Sequence, residues 1–296
     1  MKNSYDTYNV FYYVSKFKSI TLAANYLHVS QPAVTRQIKN LEMNLGYTLF
    51  LRTKKGLQLT DEGEILFNEV SKAIEIFNVI ETKNNELKPV EEGTIKILSG
   101  YATTKNILLP IVLEFNKMYP NVKVYVEYYP LKEALNKLRN GEVDLLIMNN
   151  DDYTEYSDIY FTPFYELHDI LVVNNEIKNN YPKKIKLEEI NDYPIICKKD
   201  SIFKKYINKM FADKELKPAW ELTDYWLVEE YIKMSMGLGI VSKEFISKEL
   251  NDKQLIEIET DVELPKRKIS YAIRKNSVLR PELIRLIHLF KKNSNI

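Results

Sequence analysis

The chain has 296 residues, a formal net charge of +1, one cysteine and 45% hydrophobic residues. That length predicts two or three domains, and a near-neutral charge singles out no class of partner. A single cysteine excludes an internal disulfide framework and favours a reducing compartment. No signal-peptide pattern precedes the first predicted helix, and no run of about eighteen apolar residues could cross a membrane. We therefore expect a soluble protein of the cytoplasm.

The N-terminal residues predict a helix-turn-helix. Residues 5–17 and 21–27 predict two helices, and after a tight turn Ser30 can cap a third helix that has Pro32 in its first turn. Apolar side chains of the third helix recur at steps of four, three and four, so one stripe is buried. These residues are Val34, Ile38, Leu41 and Leu45. The opposite face is free and polar, as in a helix that enters the major groove of DNA. It carries Gln31, Thr35, Arg36 and Lys39.

A hairpin and a local positive charge follow the third helix. Residues 49–60 alternate apolar and polar side chains about Lys54-Lys55-Gly56, which predicts a short hairpin. Residues 1–60 carry eight basic side chains against two acidic ones, a net charge of +6. Such a basic excess is expected of a surface that binds phosphates, whereas residues 61–92 are acidic.

These N-terminal residues resemble the signature of the LysR-type transcriptional regulators. The matching stretches are Ala23-Ala24, Leu27, Val29-Ser30-Gln31-Pro32-Ala33, Arg36-Gln37-Ile38, Leu41-Glu42, Leu45-Gly46, Leu49-Phe50, Arg52-Thr53 and Leu59-Thr60. The total length also fits the family. The resemblance implies that residues 1–60 form a winged helix-turn-helix that binds double-stranded DNA, with the wing beside the minor groove. The expected DNA contacts are Ser30, Gln31, Pro32, Thr35, Arg36, Lys39, Arg52, Lys54 and Lys55. For the basic residues of the wing, solvated turn charges are an equally good interpretation.

Residues 61–89 predict a long linker helix. Acidic residues fill its first turn, where the helix dipole favours them, and Pro89 ends it. Its apolar residues recur at steps of four and three, which is a heptad-like spacing. Because so long a helix should find little to pack against in its own chain, we expect the same helix of a second copy to cover it. The predicted dimerisation residues are Leu66, Val70, Ala73, Phe77 and Ile80.

The remaining residues, 90–296, alternate predicted strands and helices, and this order implies a parallel sheet with right-handed crossovers. A last strand at 269–273 and a last helix at 281–292 have no third sheet to join, so we expect them to return to the first. The resemblance implies an effector domain like a small periplasmic binding protein. Its subdomain I would be about 90–163 with 267–296, and its subdomain II about 164–266. The expected fold class is α/β behind an all-α winged helix-turn-helix and a linker helix.

An effector cleft is expected beyond the carboxyl ends of the strands, where helix N-termini point at ligands. Helices that begin at 103–104 and at 200–201 should face one another there, and their free N–H groups and dipoles favour a small anion. The expected charge partners are Lys105, Lys198 and Lys199.

By resemblance, the stretches around residues 101–103, 129–131 and 223–226 match walls of the family's cleft. The predicted effector-binding residues are Gly100, Tyr101, Thr103, Thr104, Tyr129, Leu131, Lys198, Ser201, Thr223 and Trp226. Helix capping is the competing interpretation for each hydroxyl. Tyr101 departs from the small residue often found at its position in the family, so its ring could narrow the cleft or stack on a ligand.

The predicted function is a sequence-specific DNA-binding transcriptional regulator that a small anion modulates. The expected partners are double-stranded DNA, the effector, further copies of the chain in a homodimer or homotetramer, and RNA polymerase as a candidate; no cofactor, metal or membrane is expected. The alternative is a solute-binding ligand carrier without a DNA role, which would need an export signal where the basic helix-turn-helix stands.

An enzyme would need a convergent catalytic set, and none is recognisable. His28, His168 and His288 lack metal-ligand spacing. Cys197 is expected to be a buried strand residue, because a sensor disulfide needs a second cysteine.

Overall fold

The computed structural model describes residues 3–53, 56–149, 156, 158–199, 201–211, 215–275 and 277–296. The chain forms two compact units. The first comprises residues 1–87 with 276–279, and the second comprises residues 88–275 with 280–296. The finer predicted division into residues 1–60, 61–89 and 90–296 stays a prediction.

Helix caps define the start of the first unit. Its elements are α1 (Tyr5–Phe17), α2 (Ile20–Tyr26), α3 (Gln31–Leu45), β1 (Phe50–Thr53), β2 (Gly56–Leu59) and α4 (Asp61–Glu86). The hydroxyl of Ser19 accepts from the backbone N–H of Leu22 at 3.2 Å, and that of Ser30 accepts from Ala33 N–H at 3.4 Å. Gly46 ends α3 in a left-handed conformation with φ of 85°. The helices of the helix-turn-helix therefore lie in the predicted order.

The core of the first unit fixes one side of α3. Val34, Ile38 and Leu41 are buried, as predicted from their spacing, and they belong to the same cluster as Phe11 and Val14 of α1. Because this stripe is held by α1, the opposite side of α3 points outward.

The hairpin of β1 and β2 is tied to the helices on both sides. The carboxylate of Glu42 accepts from the backbone N–H of Leu49 at 2.7 Å, and the hydroxyl of Thr60 caps α4 by accepting from Gly63 N–H at 3.0 Å. A Cβ at Gly63 would lie 2.4 Å from the Leu49 carbonyl oxygen, so this close approach requires glycine. The predicted tip, Lys54-Lys55, lies outside the described residues.

The inward face of α4 packs on its own unit. Val70 and Ile74 are buried in the core, and the rings of Phe67 and Tyr12 stack with their centroids 5.7 Å apart. The expectation that this helix has little to pack against in its own chain was therefore wrong. Leu66 and Val70, which we predicted at a dimer seam, face the core of their own unit.

A second face of α4 is apolar and exposed. Ile76 is 63% exposed and Ile80 is 53% exposed, and Ile65, Ala73 and Leu87 are also exposed at matching helical spacing. Phe77 lies near the edge of this face, with its ring centroid 4.6 Å from that of Tyr5. We name the set Ile65, Ala73, Ile76, Ile80 and Leu87 the outer face of α4.

A short segment near the C-terminus completes the first unit. The backbone N–H of Leu279 donates to the Thr82 hydroxyl at 3.1 Å, and the Leu279 carbonyl accepts from the side-chain amide of Asn85 at 2.8 Å. Asn85 is buried at the end of α4. These bonds hold residues 277–279 on the linker helix.

The second unit contains a ten-stranded sheet. Its strands are β3 (Gly93–Ser99), β4 (Val122–Glu127), β5 (Leu145–Asn149), β6 (Ile159–Asn174), β7 (Lys184–Ile185), β8 (Ile195–Lys198), β9 (Trp220–Leu222), β10 (Leu238–Ser242), β11 (Leu255–Thr260) and β12 (Lys266–Arg274). Its helices are α5 (Tyr101–Thr103), α6 (Leu109–Met118), α7 (Leu131–Asn140), α8 (Ile202–Met210), α9 (Tyr225–Lys233), α10 (Ser247–Asn251) and α11 (Pro281–Lys292).

The order of strands follows the predicted alternation. β3 runs parallel to β4 and β5, and β8 runs parallel to β9 and β10. β12 pairs antiparallel with β5, so the last strand returns to the first half of the sheet as predicted.

Two long strands pass between the halves of the sheet. The 16-residue β6 pairs with β12, β10 and β11, and β12 pairs with both β5 and β6. The predicted subdomain boundaries, at 163–164 and 266–267, fall within these two strands, whose pairing shifts register after Ile269.

A buried ion pair ties the crossing strands together. Arg267 of β12 and Asp169 of β6 have side chains only 2% exposed, and the guanidinium donates to Asp169 Oδ1 from Nη2 at 2.6 Å and from Nε at 3.1 Å. The hydroxyl of Ser242 on β10 donates to the same oxygen at 3.0 Å. Three strands thus meet at one carboxylate.

The helical segment of residues 101–118 is continuous but not uniform. α5 passes into a π-helical turn, Thr104–Leu108, and then into α6. Gly100 precedes the segment, and its carbonyl accepts from Thr104 N–H at 2.8 Å. The helix begins at Tyr101, so the predicted start at 103–104 was wrong.

Candidate DNA-binding surface and effector pocket

The outer face of α3 forms the first candidate site. Gln31, Pro32, Arg36 and Lys39 are exposed there, and Thr35 is half-buried. They line a shallow groove together with two residues that we did not predict, Asn40 and the 71% exposed Met43. These two lie four residues beyond Arg36 and Lys39, so helical spacing could have found them.

Two of the predicted contacts on α3 already use their hydroxyl groups locally. Ser30 caps the helix through Ala33 N–H. Thr35 donates its hydroxyl proton to the Gln31 carbonyl at 3.0 Å, which leaves its oxygen lone pairs and methyl group outward. In the wing, the backbone of Arg52 pairs with Leu57.

The second candidate site is a pocket in the second unit. Its lining combines the start of the segment 101–118 with α9 and the end of β10. The lining residues are Tyr101, Ala102, Lys105, Asn106, Tyr225, Trp226, Glu229, Val241, Phe245 and Ile246. The open space is about 10 Å³, roughly that of one water. The pocket is therefore closed in this conformation.

Tyr101 and Trp226 are the two predicted effector-binding residues in this lining, and the predicted charge partner Lys105 lies there too. The ring centroids of Tyr101 and Trp226 lie 6.3 Å apart in an edge-on arrangement. The helix that contacts Tyr101 is α9, and the predicted pairing of the helix starts at 103–104 and 200–201 stays a prediction. Asp224 caps α9 by accepting from Trp226 N–H at 2.8 Å.

The other predicted effector residues lie outside the lining. The hydroxyl of Ser201 accepts from Lys204 N–H at 3.1 Å, as helix capping predicts. The ammonium of Lys137 lies 4.6 Å from the ring centre of Tyr129. Lys198 donates to the Lys199 carbonyl. Also outside the lining are Gly100, Thr103, Thr104, Leu131 and Thr223.

Charge in the pocket centres on Glu229, which sequence analysis missed. Its carboxylate is buried, and Lys233 donates to Oε1 at 2.5 Å. The ammonium of Lys105 lies 3.8 Å from Oε2. Although desolvation lowers the pKa of Lys233, its hydrogen bond to Glu229 and the nearby carboxylates outweigh this and raise it.

Tyr225 forms a wall between the pocket and the crossing strands. Burial raises the pKa of its phenol to about 12, so the ring is neutral at physiological pH. The Arg267 guanidinium lies 5.1 Å from the ring centre on the other side.

Cys197 and His168 both lie in strands of the second unit. Cys197 is fully buried in β8, and burial raises the pKa of its thiol to about 11. His168 sits between Glu244 at 2.7 Å and Glu166 at 3.2 Å. Among the described residues, no group of three or more His, Cys, Asp or Glu side chains could hold a metal ion. No helix in this part of the chain is long and apolar enough to span a bilayer.

Comparison with known proteins assigns both parts of the chain to one family. Residues 6–64 match the model of the bacterial regulatory helix-turn-helix proteins of the lysR family, and residues 89–295 match the LysR substrate binding domain. The HTH-type transcriptional regulator SsuR of Burkholderia cenocepacia is 26% identical over 281 residues, which cover 94% of this chain and 91% of the relative.

Solved structures share the fold over the full length. CrgA, a LysR-type transcriptional regulator from Neisseria meningitidis, superposes with a TM-score of 0.59 at 18% identity and 100% coverage of both chains. CbnR in complex with its target DNA gives 0.56 at 18% identity, covering 98% of this chain and 99% of that one. A DNA-binding part joined to a ligand domain favours a regulator over a ligand carrier. The chain therefore belongs to the LysR family of helix-turn-helix transcriptional regulators, which bind DNA and are not enzymes.

Proposed function

We propose that the chain recognises its operator through the outer face of α3 inserted into the major groove. The observation that carries this is the division of α3 into a stripe held by the core and an exposed stripe with Gln31, Arg36 and Lys39. An α-helix fits the major groove, and such side chains can read base edges there. The DNA complex of CbnR, whose fold the chain shares, supports this use of the domain. Ser30, Arg52, Lys54 and Lys55 would contact the DNA backbone or minor groove.

Selection of binding sites from random DNA tests this proposal. The Gln31→Ala, Thr35→Ala double variant should select a degenerate motif, because base contacts carry the discrimination. The control is Lys72→Ala on the exposed surface of α4, which should select the wild-type motif. Recovery of one and the same motif from all three proteins would contradict the assignment to α3.

We further propose that the regulator acts as a homodimer or homotetramer through the outer face of α4. Exposed apolar side chains at heptad-like spacing support a helix-to-helix contact with a second copy. Contact with RNA polymerase is part of the proposal, without an assigned surface. The cytoplasm is the proposed location, since operator DNA lies there in a bacterium.

We infer that the effector is a small molecule with an anionic group, bound in the pocket between the segment 101–118 and α9. The first turn of that segment lines the pocket, and its N–H groups lack acceptors within the helix. The ammonium of Lys105 adds positive charge at the same wall. Because the open space is small, the two walls must separate before the ligand enters. Gly100, Thr103, Thr104, Tyr129, Leu131, Lys198, Ser201 and Thr223 stay proposed contacts of the opened state.

Calorimetry with the full chain tests the anionic group. The panel comprises carboxylates, phosphates, neutral sugars and amines of similar size. We expect heat of binding from members that bear an anion and a weaker response from Lys105→Met. Binding of neutral sugars alone would overturn this part of the proposal while leaving the DNA-binding part intact.

A further inference from the structure

The carboxylate of Glu229 offers an unmet acceptor to the pocket. Its side chain is only 5% exposed, yet it belongs to the pocket lining. Oε1 accepts from Lys233, whereas the cation nearest to Oε2 is Lys105 Nζ at 3.8 Å, beyond hydrogen-bond distance. Among the described residues, Oε2 accepts no hydrogen bond. Glu229 lines the pocket, so a donor on a ligand bound there would supply the hydrogen bond that this oxygen lacks.

Glu229 shares its one hydrogen-bonded cation with two carboxylates that lie outside the pocket lining. A single ammonium, that of Lys233, serves three carboxylates: Glu229 at 2.5 Å, Glu249 at 3.3 Å and Glu230 at 3.5 Å. One positive charge cannot balance three negative ones. Lys105 supplies a second, but its side chain is 44% exposed and makes no hydrogen bond to Glu229. Glu229 therefore keeps acceptor capacity for an ammonium group that a ligand brings.

Aromatic side chains also line the pocket. Tyr101, Tyr225, Trp226 and Phe245 all line the pocket. The Tyr225 and Phe245 rings meet edge-on with their centroids 6.0 Å apart. The negative faces of such rings attract ammonium groups, and the attraction grows when water is excluded.

We propose that the effector carries a protonated amine as well as its anionic group, so that it is a zwitterion of amino-acid type. The ammonium would donate to Glu229 Oε2 in the position that Lys105 holds in the closed pocket. Lys105 would then turn to the carboxylate of the ligand. This inference rests on the proposed function, in which the pocket is the effector site and the effector bears an anion.

Three matched sets of compounds test the inference by calorimetry on the full chain. They are the twenty standard amino acids, the carboxylic acids that lack the amino group, and the amines that lack the carboxylate. At least one amino acid should bind about tenfold or more tightly than both of its truncated forms, because each loses a charge-assisted hydrogen bond.

Variants separate the two charges of the ligand. Glu229→Gln should weaken binding of the amino acid by about tenfold or more and should not weaken the des-amino acid. Glu230→Gln is the matched control, because Glu230 also pairs with Lys233 but does not line the pocket; it should leave both affinities unchanged. Lys105→Met should weaken the amino acid and the des-amino acid but not the amine. Melting temperatures of all variants show whether each is folded.

Two results would overturn the inference. One is a des-amino acid that binds wild type as tightly as its parent amino acid. The other is the absence of binding by every amino acid. If anions bind but the amino group makes no difference, the proposed function stands and the inference fails. If Glu229→Gln does not fold, binding of the three compound sets to wild type and to Lys105→Met still tests the inference.

Discussion

Outward side chains of α3 differ in the chemistry that they offer to DNA. The amide of Gln31 can pair with adenine and the guanidinium of Arg36 with guanine, each through two hydrogen bonds. The hydroxyl of Thr35 already donates a hydrogen bond to the Gln31 carbonyl. Thr35 can therefore only accept a hydrogen bond from a base or place its methyl group against thymine. Lys39 is suited to phosphate, where charge matters and sequence does not.

We therefore expect Thr35→Ala and Lys39→Ala to fail in different ways. Thr35→Ala should lower the preference for the operator over random DNA by about 1–3 kcal/mol. Thr35→Val should retain most of that preference if the contact is the methyl group. Lys39→Ala should weaken both DNAs alike and reduce the salt slope by about one. Titrations at several salt concentrations measure both effects, and a loss of preference in Lys39→Ala would contradict the division of roles.

Among the contacts of single residues, those between neighbours in the sequence could be predicted. Ser30 and Ser201 cap helices because a hydroxyl before a helix finds an N–H within three residues. Glu229 escaped prediction because a glutamate four residues before Lys233 looks like an ordinary surface pair. Its burial depends on the distant segment 101–118 packing against α9, which no local pattern encodes.

At the scale of the element, α4 shows the limit of a periodic pattern. The steps of four and three predicted an apolar seam, and apolar residues do follow the helix. A heptad pattern does not say whether a face meets its own chain or another. The pattern placed Val70 and Ile80 on one predicted face, although Val70 is buried in the core and Ile80 is exposed. The outer face that remains is the better candidate for dimerisation.

We predict that charges on the outer face of α4 separate the subunits without unfolding them. The Ile76→Asp, Ile80→Asp double variant should sediment as a smaller species and lose tight operator binding, because charges would be buried in the contact. Val70→Asp should instead unfold the first unit, since it places the charge in the core. Asn68→Asp adds the same charge on another exposed face and should leave the assembly intact. A double variant that keeps the wild-type mass by sedimentation would contradict the proposed contact.

At the scale of the whole molecule, the return of β12 to β5 was predictable because a last strand and helix had no other sheet to join. The length of β6 was not predictable from the sequence. Pro163, Glu166, His168 and Asp169 interrupt its apolar alternation, so only its last residues carried a strand pattern. The strand persists because β12, β10 and β11 pair along it. Long-range pairing thus overrode a weak local signal.

Removal of one partner of the ion pair between these strands should destabilise the second unit strongly. Asp169→Asn leaves the Arg267 guanidinium buried without its counter-charge, which should cost about 3–5 kcal/mol of unfolding free energy. The Asp169→Leu, Arg267→Met double variant should recover much of that loss. Asp158→Asn removes a charge from the exposed pair with Arg139 and should cost about 1 kcal/mol or less. Urea unfolding compares these three variants with wild type. Equal losses of unfolding free energy in Asp169→Asn and Asp158→Asn would contradict the prediction.

The π-helical turn at Thr104–Leu108 gives the segment 101–118 two angular phases. It holds one residue more than an α-helical turn, so the residues before it are rotated by about 100° relative to an unbroken helix. Tyr101 can therefore face the pocket while Ile111 and Phe115 stay in the core. Deletion of Thr104 would restore a single phase. The shortened helix would still pack on the sheet but would turn Tyr101 away from the proposed effector pocket, so we expect the loss of one codon to abolish the response to the effector without unfolding the protein.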